Sequence, residues 1–297
     1  MSNIAMSHTA PVNGGSRVGL QNRTGRFSTL LCAGLVALVA IGSPAASDEI
    51  DDLMGALRLD DMVEIMRNEG LGYADELAAE MFTGGTHAAW RAQVDAIYNA
   101  DMMLGQVERE LRAGLEGRTD LASLTAFYTS DLGRDIVSLE LDARAAMTDE
   151  DVEDAALEEF SKLDGSVDPD FEAVSEFVDG NDLIALNVSG TLNSMYQFYT
   201  GLADGGAIVA SEGELIDQVW SQETQIMTET REWLYAYLLL AFRPLEPDQI
   251  GSYTDISVTP VGKRLNAALF AGFNLMYDEV SYALGRAAAG QMGLQEL

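Results

Sequence analysis

Cysteine, histidine and basic residues are all scarce in this 297-residue chain, and each scarcity removes a class of chemistry. Cys32 is the only cysteine, and it lies in an apolar N-terminal stretch. The chain beyond that stretch therefore cannot use disulfides, thiol catalysis or cysteine-bound metal. Its stability must come from an ordinary apolar core, which about 250 residues can supply in one or two units. Histidine occurs only as His8 and His87. A single histidine beyond the N-terminal stretch, with no cysteine, is a poor basis for a zinc site. Any Ser-His-Asp set would have to be built on His87, and no Gly-x-Ser-x-Gly elbow or phosphate-binding loop occurs. We expect no metal and no cofactor. Lysine and arginine number 17 against 48 aspartates and glutamates, a net charge of −31. Nucleic acid and anionic lipid are polyanions that reward basic residues, so neither is an expected partner. The bland reading of the charge is a solvated acidic coat; the functional one is capture of cations or basic partners. A hydrophobic content of 47% argues against disorder.

What the N-terminus does carry is a secretory pattern. Arg17, Arg23 and Arg26 form a positive region without any acid, Phe27 to Ile41 is apolar, and Ser43-Pro44-Ala45-Ala46-Ser47 offers small residues for cleavage. At about 15 residues the apolar stretch is shorter than the roughly 20 that a bilayer-spanning helix needs. A cleaved signal peptide over residues 1–47 is the better reading than an uncleaved anchor. Cys32 lies within the stretch and not after it, which argues against a lipid anchor. The expected location is the periplasm or the exterior, with no stable membrane span after cleavage. The segment removed holds three arginines and no acid, which leaves 14 basic against 48 acidic residues, a net −34.

The remaining chain reads as helical throughout, with apolar residues at helical spacing and no sustained alternation of the strand type. The expected fold class is all-α: a tandem repeat of two similar helical bundles, over 48–150 and 181–297, joined by an acidic helical connector over 151–180. Each half reads helix, long helix, short helix, helix. In the first, Asp60 is the expected N-cap of a helix to Met81. Thr86 is that of a long helix from Trp90 past Leu111, after the Gly84-Gly85 break. Thr148 is placed as the cap of the connector helix, which runs to about Leu163, and Asp168-Pro169 as a cap followed by a proline at the first helical position. In the second half a helix opens at Asp182. Ser211 with Glu214 has capping-box spacing, and the helix it opens is expected to reach Phe242.

Aligning Gly133 with Gly262 brings the halves into register at an offset of 129 residues. Ser130-Asp131-Leu132-Gly133-Arg134 then faces Thr259-Pro260-Val261-Gly262-Lys263, and the apolar positions before them match in type. Ser130 and Thr259 offer capping hydroxyls, and Pro260 suits a first helical position. Gly133 and Gly262 fall in the first turn, where glycine costs about 1 kcal/mol relative to alanine. Meeting that cost twice suggests that another backbone packs against this spot. Arg134 and Lys263 follow; they are either anion hooks or partners of the many nearby carboxylates, and the second reading is preferred.

The segment Leu124-Thr125-Ala126-Phe127-Tyr128-Thr129-Ser130-Asp131-Leu132-Gly133-Arg134 resembles the signature of the bacterial domain of unknown function 2059. Glu246-Pro247-Asp248-Gln249-Ile250, leading to Thr259–Lys263, resembles it again, with Ile256-Ser257 where the first copy has Phe127-Tyr128. The resemblance implies exported helical proteins in two tandem copies, around 90–150 and 215–290. It brings no catalytic residues.

Carboxylates are too plentiful for a catalytic pair to be picked out. Glu140 and Asp142 are two apart and point to different sides of a helix. Asp164, Ser166, Asp168, Asp170 and Glu172 alternate like a calcium loop but lack its glycine and its distant glutamate. Trp233 to Phe242 is apolar or aromatic all round, so it must be buried on every side. It is either the central helix of the C-terminal half, or a subunit interface or apolar ligand groove joined by Phe270 and Phe273. Trp233, Tyr237, Phe270 and Phe273 are the candidate binding residues. The leading expectation is a non-catalytic protein that binds a protein partner, an apolar ligand or a second copy of itself through the C-terminal half. The rival is a carboxylate-dependent periplasmic hydrolase, which would need a cleft holding two carboxyls, one of them buried.

Overall fold

The computed structural model describes residues 44–82, 88–117 and 120–295. The expectations resting on residues 1–43, the Gly84-Gly85 break, Thr86 and His87 lie outside them. Among the described residues every element is a helix, and the chain is all-α. The first group is α1 (Pro44–Leu57), α2 (Leu59–Met81), α3 (Ala88–Ile97), α4 (Ala100–Leu115), α5 (Ala122–Tyr128) and α6 (Asp131–Ala146). Then α7 (Glu150–Leu163) leads to α8 (Pro169–Gly180), α9 (Leu183–Asp204), α10 (Glu212–Trp220), α11 (Glu223–Phe242), α12 (Pro247–Ser257) and α13 (Pro260–Gln295).

Capping chemistry sets many of these boundaries. The Ser211 side chain accepts from the Glu214 amide while Glu214 reaches back to the Ser211 amide at 2.7 Å, a full capping box that opens α10. The Asp168 carboxylate accepts from the amides of Asp170 and Phe171, with Pro169 at the first helical position of α8. Two caps fall elsewhere than expected. Asp149 caps α7, while the Thr148 hydroxyl donates to the Ala145 carbonyl of the preceding helix. Helix α2 starts at Leu59 behind Arg58, so Asp60 sits in its first turn, where a carboxylate complements the helix dipole.

Both long helices are broken in two. Asn99 adopts an extended backbone and its side chain accepts from the Met102 amide at 3.0 Å. That local bond competes with continuation of the helix, so α3 ends and α4 begins. At Ser221-Gln222 a second break separates α10 from α11, here with a near-helical backbone and no side-chain cap.

One apolar cluster runs from Ile50 to Ala289, with a satellite of Val188, Leu192, Val219 and Ile226 beside it. Helix α1 packs on α5 and α8 on α12; α2 packs on α4 and α9 on α11. The last helix of each group lies against both groups: α6 on α2 of its own and α11 of the other, α13 on α9 of its own and α4 of the other. Glycines let α13 approach closely, since a Cβ on Gly285 would meet the Phe198 carbonyl of α9 and one on Gly272 would lie 2.9 Å from Val107 Cα of α4. At 36 residues α13 is about 54 Å long and spans both groups.

The only two non-glycine residues with positive φ among the described residues are Arg58 at 50° and Asp182 at 54°. They immediately precede α2 and α9.

Candidate functional site

The motif residues make the junction of short helix and capped helix. Ser130 Oγ accepts from the Gly133 amide at 3.1 Å and donates to the Phe127 carbonyl; Thr259 repeats both bonds with Gly262 and Ile256. A Cβ on Gly133 would run into the Phe127 carbonyl oxygen and lie 2.7 Å from Tyr128 Cα. One on Gly262 would meet the Ile256 carbonyl oxygen and Ser257. The backbone expected against these glycines is therefore the last turn of the preceding short helix. Pro260 opens α13 at its exposed first position. Arg134 reaches Asp131 at 3.9 Å, both side chains in water, and Lys263 is exposed as well. The two motif segments also meet each other. Phe127 stacks on Tyr253 with centroids 5.8 Å apart, and Tyr128 meets the same ring edge-on.

Behind them lies a buried polar network that the sequence did not reveal. Glu140 is fully buried, whereas Asp142 is exposed. The Tyr253 hydroxyl donates to Glu140 Oε1 at 3.3 Å, and the Tyr237 hydroxyl donates to the Glu140 carbonyl at 3.1 Å. Burial, reinforced by the Glu140 charge, pushes the hydroxyls of Tyr128, Tyr237 and Tyr253 upward, so all three stay protonated donors. Arg144 makes a two-pronged bond to Glu69 at 2.9 and 2.7 Å, with side chains only 5% and 13% exposed. Burial opposes the Arg144 charge, but Glu69 outweighs it and holds the guanidinium protonated. Arg144 also lies over the Trp233 ring at 5.7 Å, and Trp233 stacks on Tyr237.

This places the sequence-predicted binding residues. Tyr237, Phe270 and Phe273 are buried in the core, and Trp233 is half-buried in the network. None of the four lines a cavity described below. Trp233–Phe242 is the C-terminal part of α11, and α11 packs on α6, α7, α8 and α9. Glu140 is a buried carboxyl, but it is held by tyrosines inside the core and lines none of these cavities. The Asp164 region is structural too. Arg231 makes a two-pronged bond to Asp164 at 3.1 and 2.6 Å, and among the described residues no group of three or more His, Cys, Asp or Glu is placed to hold a metal ion.

Two concavities are present among the described residues, a two-part surface groove and an inner cavity. The first is a groove of about 580 Å³ between the start of α9 and the α10–α11 break. Its apolar wall includes Leu183, Ile184 and Val188, with Trp220 and Met227 on the lip. It continues past Trp220 into a second hollow of about 250 Å³ beside Ile216 and Tyr196. Six large apolar side chains stand exposed among the described residues, and three of them are here: Trp220 at 55%, Met227 at 47% and Ile216 at 39%. Asp179, Asp182, Glu223 and Glu212 line the two hollows, and no basic residue does.

The second is a smaller cavity of about 90 Å³ inside the molecule, between α2, α9, α11 and α13. Tyrosines from both groups line it: Tyr73, Tyr98, Tyr199 and Tyr277. Burial, with Tyr199, Glu80 and Glu76 nearby, pushes the Tyr73 hydroxyl up to about 12. Burial likewise raises Tyr98, with Tyr73 and Tyr277 as its neighbours. Ser194, another lining residue, donates to Asp278 at 3.3 Å, and burial lifts that carboxyl to about 6.

The fold thus defines an all-α class with an acidic, partly apolar surface groove, and no helix among the described residues is long and apolar enough to cross a membrane. The chain matches no protein-family model, no curated protein and no solved structure.

Proposed function

We infer that this is an exported, non-catalytic binding protein. Its groove between α9, α10 and α11 seats an apolar helical segment of a protein partner. The gathering of Ile216, Trp220 and Met227 on one groove carries the reading. Single exposed apolar residues are ordinary, but a cluster of them over a concavity marks an interaction site. A volume of about 580 Å³ lies within the roughly 300–1,000 Å³ of typical binding pockets. An amphipathic helix laid in such a groove would bury the lip residues and replace water against Val188 and Leu192. The acidic rim selects a segment with basic flanks. A second copy of this chain is a poor occupant, because two bodies each carrying −31 repel.

The repeat belongs to the same proposal. Paired helices α1/α8, α2/α9, α3/α10, α4/α11, α5/α12 and α6/α13, with α7 as connector, support an ancient tandem duplication. So do the left-handed residues Arg58 and Asp182 and the twin capping junctions. On this view the last helices crossed over to pack on the opposite half. Kinship with the domain of unknown function 2059 is proposed on the sequence resemblance of Leu124–Arg134 alone. The hydrolase reading loses support from the enclosure of Glu140 by tyrosines.

The test is a fluorescence titration of the mature protein with a synthetic helix bearing leucines on one face and lysines on the other. Binding should blue-shift the emission of exposed Trp220, and, read from the anisotropy of a dye on the peptide, Trp220→Ala or Met227→Ala should weaken it about tenfold or more. An acidic peptide of equal hydrophobicity should bind far more weakly. Unchanged affinity in both variants would overturn the assignment of the groove.

A further inference from the structure

We propose that the inner cavity between α2, α9, α11 and α13 is a binding site for a small methylated ammonium ion. The proposal rests on a different site from the surface groove and stands or falls independently of it. Five aromatic rings line the cavity: Tyr73, Tyr98, Phe198, Tyr199 and Tyr277. Aromatic faces carry negative electrostatic potential, and a cation held among them is attracted most strongly where water is excluded. Glu229 adds a full negative charge to the wall, and no lysine, arginine or histidine lines it. The surrounding field has the same sign, since the chain as a whole carries −31 and draws cations toward it.

The lining decides which cation. A bare metal ion needs several oxygens in fixed geometry, and no such acidic cluster exists among the described residues. A primary ammonium is strongly hydrated and would leave donors unsatisfied against ring faces. A methylated ammonium spreads its charge over apolar methyl groups, which match rings on several sides. At about 90 Å³ the cavity is smaller than the roughly 150 Å³ that takes benzene, so only a small ion enters, with part of it toward the half-buried side that reaches solvent.

A second observation points to a ligand in this place. Thr191 lines the cavity, is 8% exposed, and its hydroxyl has no hydrogen-bond partner among the described residues. Thr200 and Thr254 return their hydroxyls to the carbonyls of Tyr196 and Ile250, four residues back, whereas Thr125 in α5 shares the unpartnered state of Thr191 but lines none of these cavities. A buried hydroxyl without a partner is costly. The Thr191 hydroxyl is available to a polar substituent on the bound ion, such as the hydroxyl of an ammonium alcohol. Tyr73, Met195, Tyr199, Glu229 and Ser281 are half-buried, so the cavity reaches solvent on their side.

The experiment is calorimetric titration of the mature protein with tetramethylammonium chloride and, separately, with tert-butanol. The two are of similar size but differ in charge. Saturable one-site binding of the ion is expected, with tert-butanol at least about tenfold weaker. Glu229→Gln, a half-exposed position, should weaken the ion about tenfold and leave tert-butanol unaffected. Tyr199→Leu should weaken it and Tyr199→Phe should restore it. Equal affinity for the neutral molecule, unchanged affinity in Glu229→Gln, or no saturable heat with the ion would each overturn the proposal.

Discussion

Replacing Gly133 with alanine tests the junction between α5 and α6. In an open helical position this change stabilises, because alanine is favoured over glycine by about 1 kcal/mol. At Gly133 the new methyl would lie 2.7 Å from Tyr128 Cα and 2.8 Å from the Phe127 carbonyl carbon, closer than real Cβ atoms come. Both obstacles are backbone, held by the Ser130 hydroxyl that bridges Phe127 and Gly133. The strain cannot be relieved by rotating a side chain, so the cost belongs at the upper end of the overpacking range, about 3 kcal/mol. The net expectation is a loss of about 2 kcal/mol, or roughly 4–8 °C in melting temperature for a chain of this size. Gly262→Ala should lose a similar amount, because a Cβ there meets Ile256 and Ser257 in the same way. Gly105 is the control. It is exposed within α4 with nothing within 4 Å of its virtual Cβ, and its alanine variant should gain about 0.5–1 kcal/mol. Urea unfolding of the three variants decides the matter. Gly133→Ala at or above the wild-type midpoint, with Gly105→Ala raised, would refute the close backbone approach.

Two further outcomes follow from the buried charges. Arg144→Met strands Glu69 and should cost about 3–5 kcal/mol, while the double variant with Glu69→Leu should regain most of it in the same unfolding assay. Asp278 titrates near 6 in the folded chain against an ordinary 3.8. The folded state therefore holds a proton that the unfolded state has released. The stability this gives is fully present below about 4 and is lost as pH rises through about 6. Asp278→Asn should grow more stable relative to wild type across that window, and a constant difference between pH 4 and 7 would contradict the assignment.

Much of the fold was legible because it rests on local chemistry. The Ser211 box, the Asp168 cap, the hydroxyls of Ser130 and Thr259 and the crowding at Gly133 and Gly262 are all settled within a few residues. The break at Asn99 was hidden because apolar spacing continues across it while one side-chain bond redirects the backbone. The sites were much less legible. Glu69 and Arg144 are 75 residues apart, and nothing local reveals that two charged residues among many will meet in the core. Ile216 and Trp220 stand four apart on α10, a spacing that reads as core; their exposure depends on what α9 leaves uncovered. Trp233–Phe242 was the most conspicuous apolar segment; most of it is buried, with Trp233, Leu239 and Leu240 partly exposed. Tyr73, Tyr98, Tyr199 and Tyr277 come together only through the crossing of α2 and α9 by α13.

The central claim is that the α9–α10–α11 groove receives a partner helix, and hydrogen exchange read by mass spectrometry locates that contact directly. Adding the leucine–lysine helix to the mature protein should slow exchange in residues 212–227 and at the start of α9, and leave the core of α13 unchanged. Protection elsewhere, or none at a concentration that saturates the Trp220 signal, would contradict the assignment of this groove.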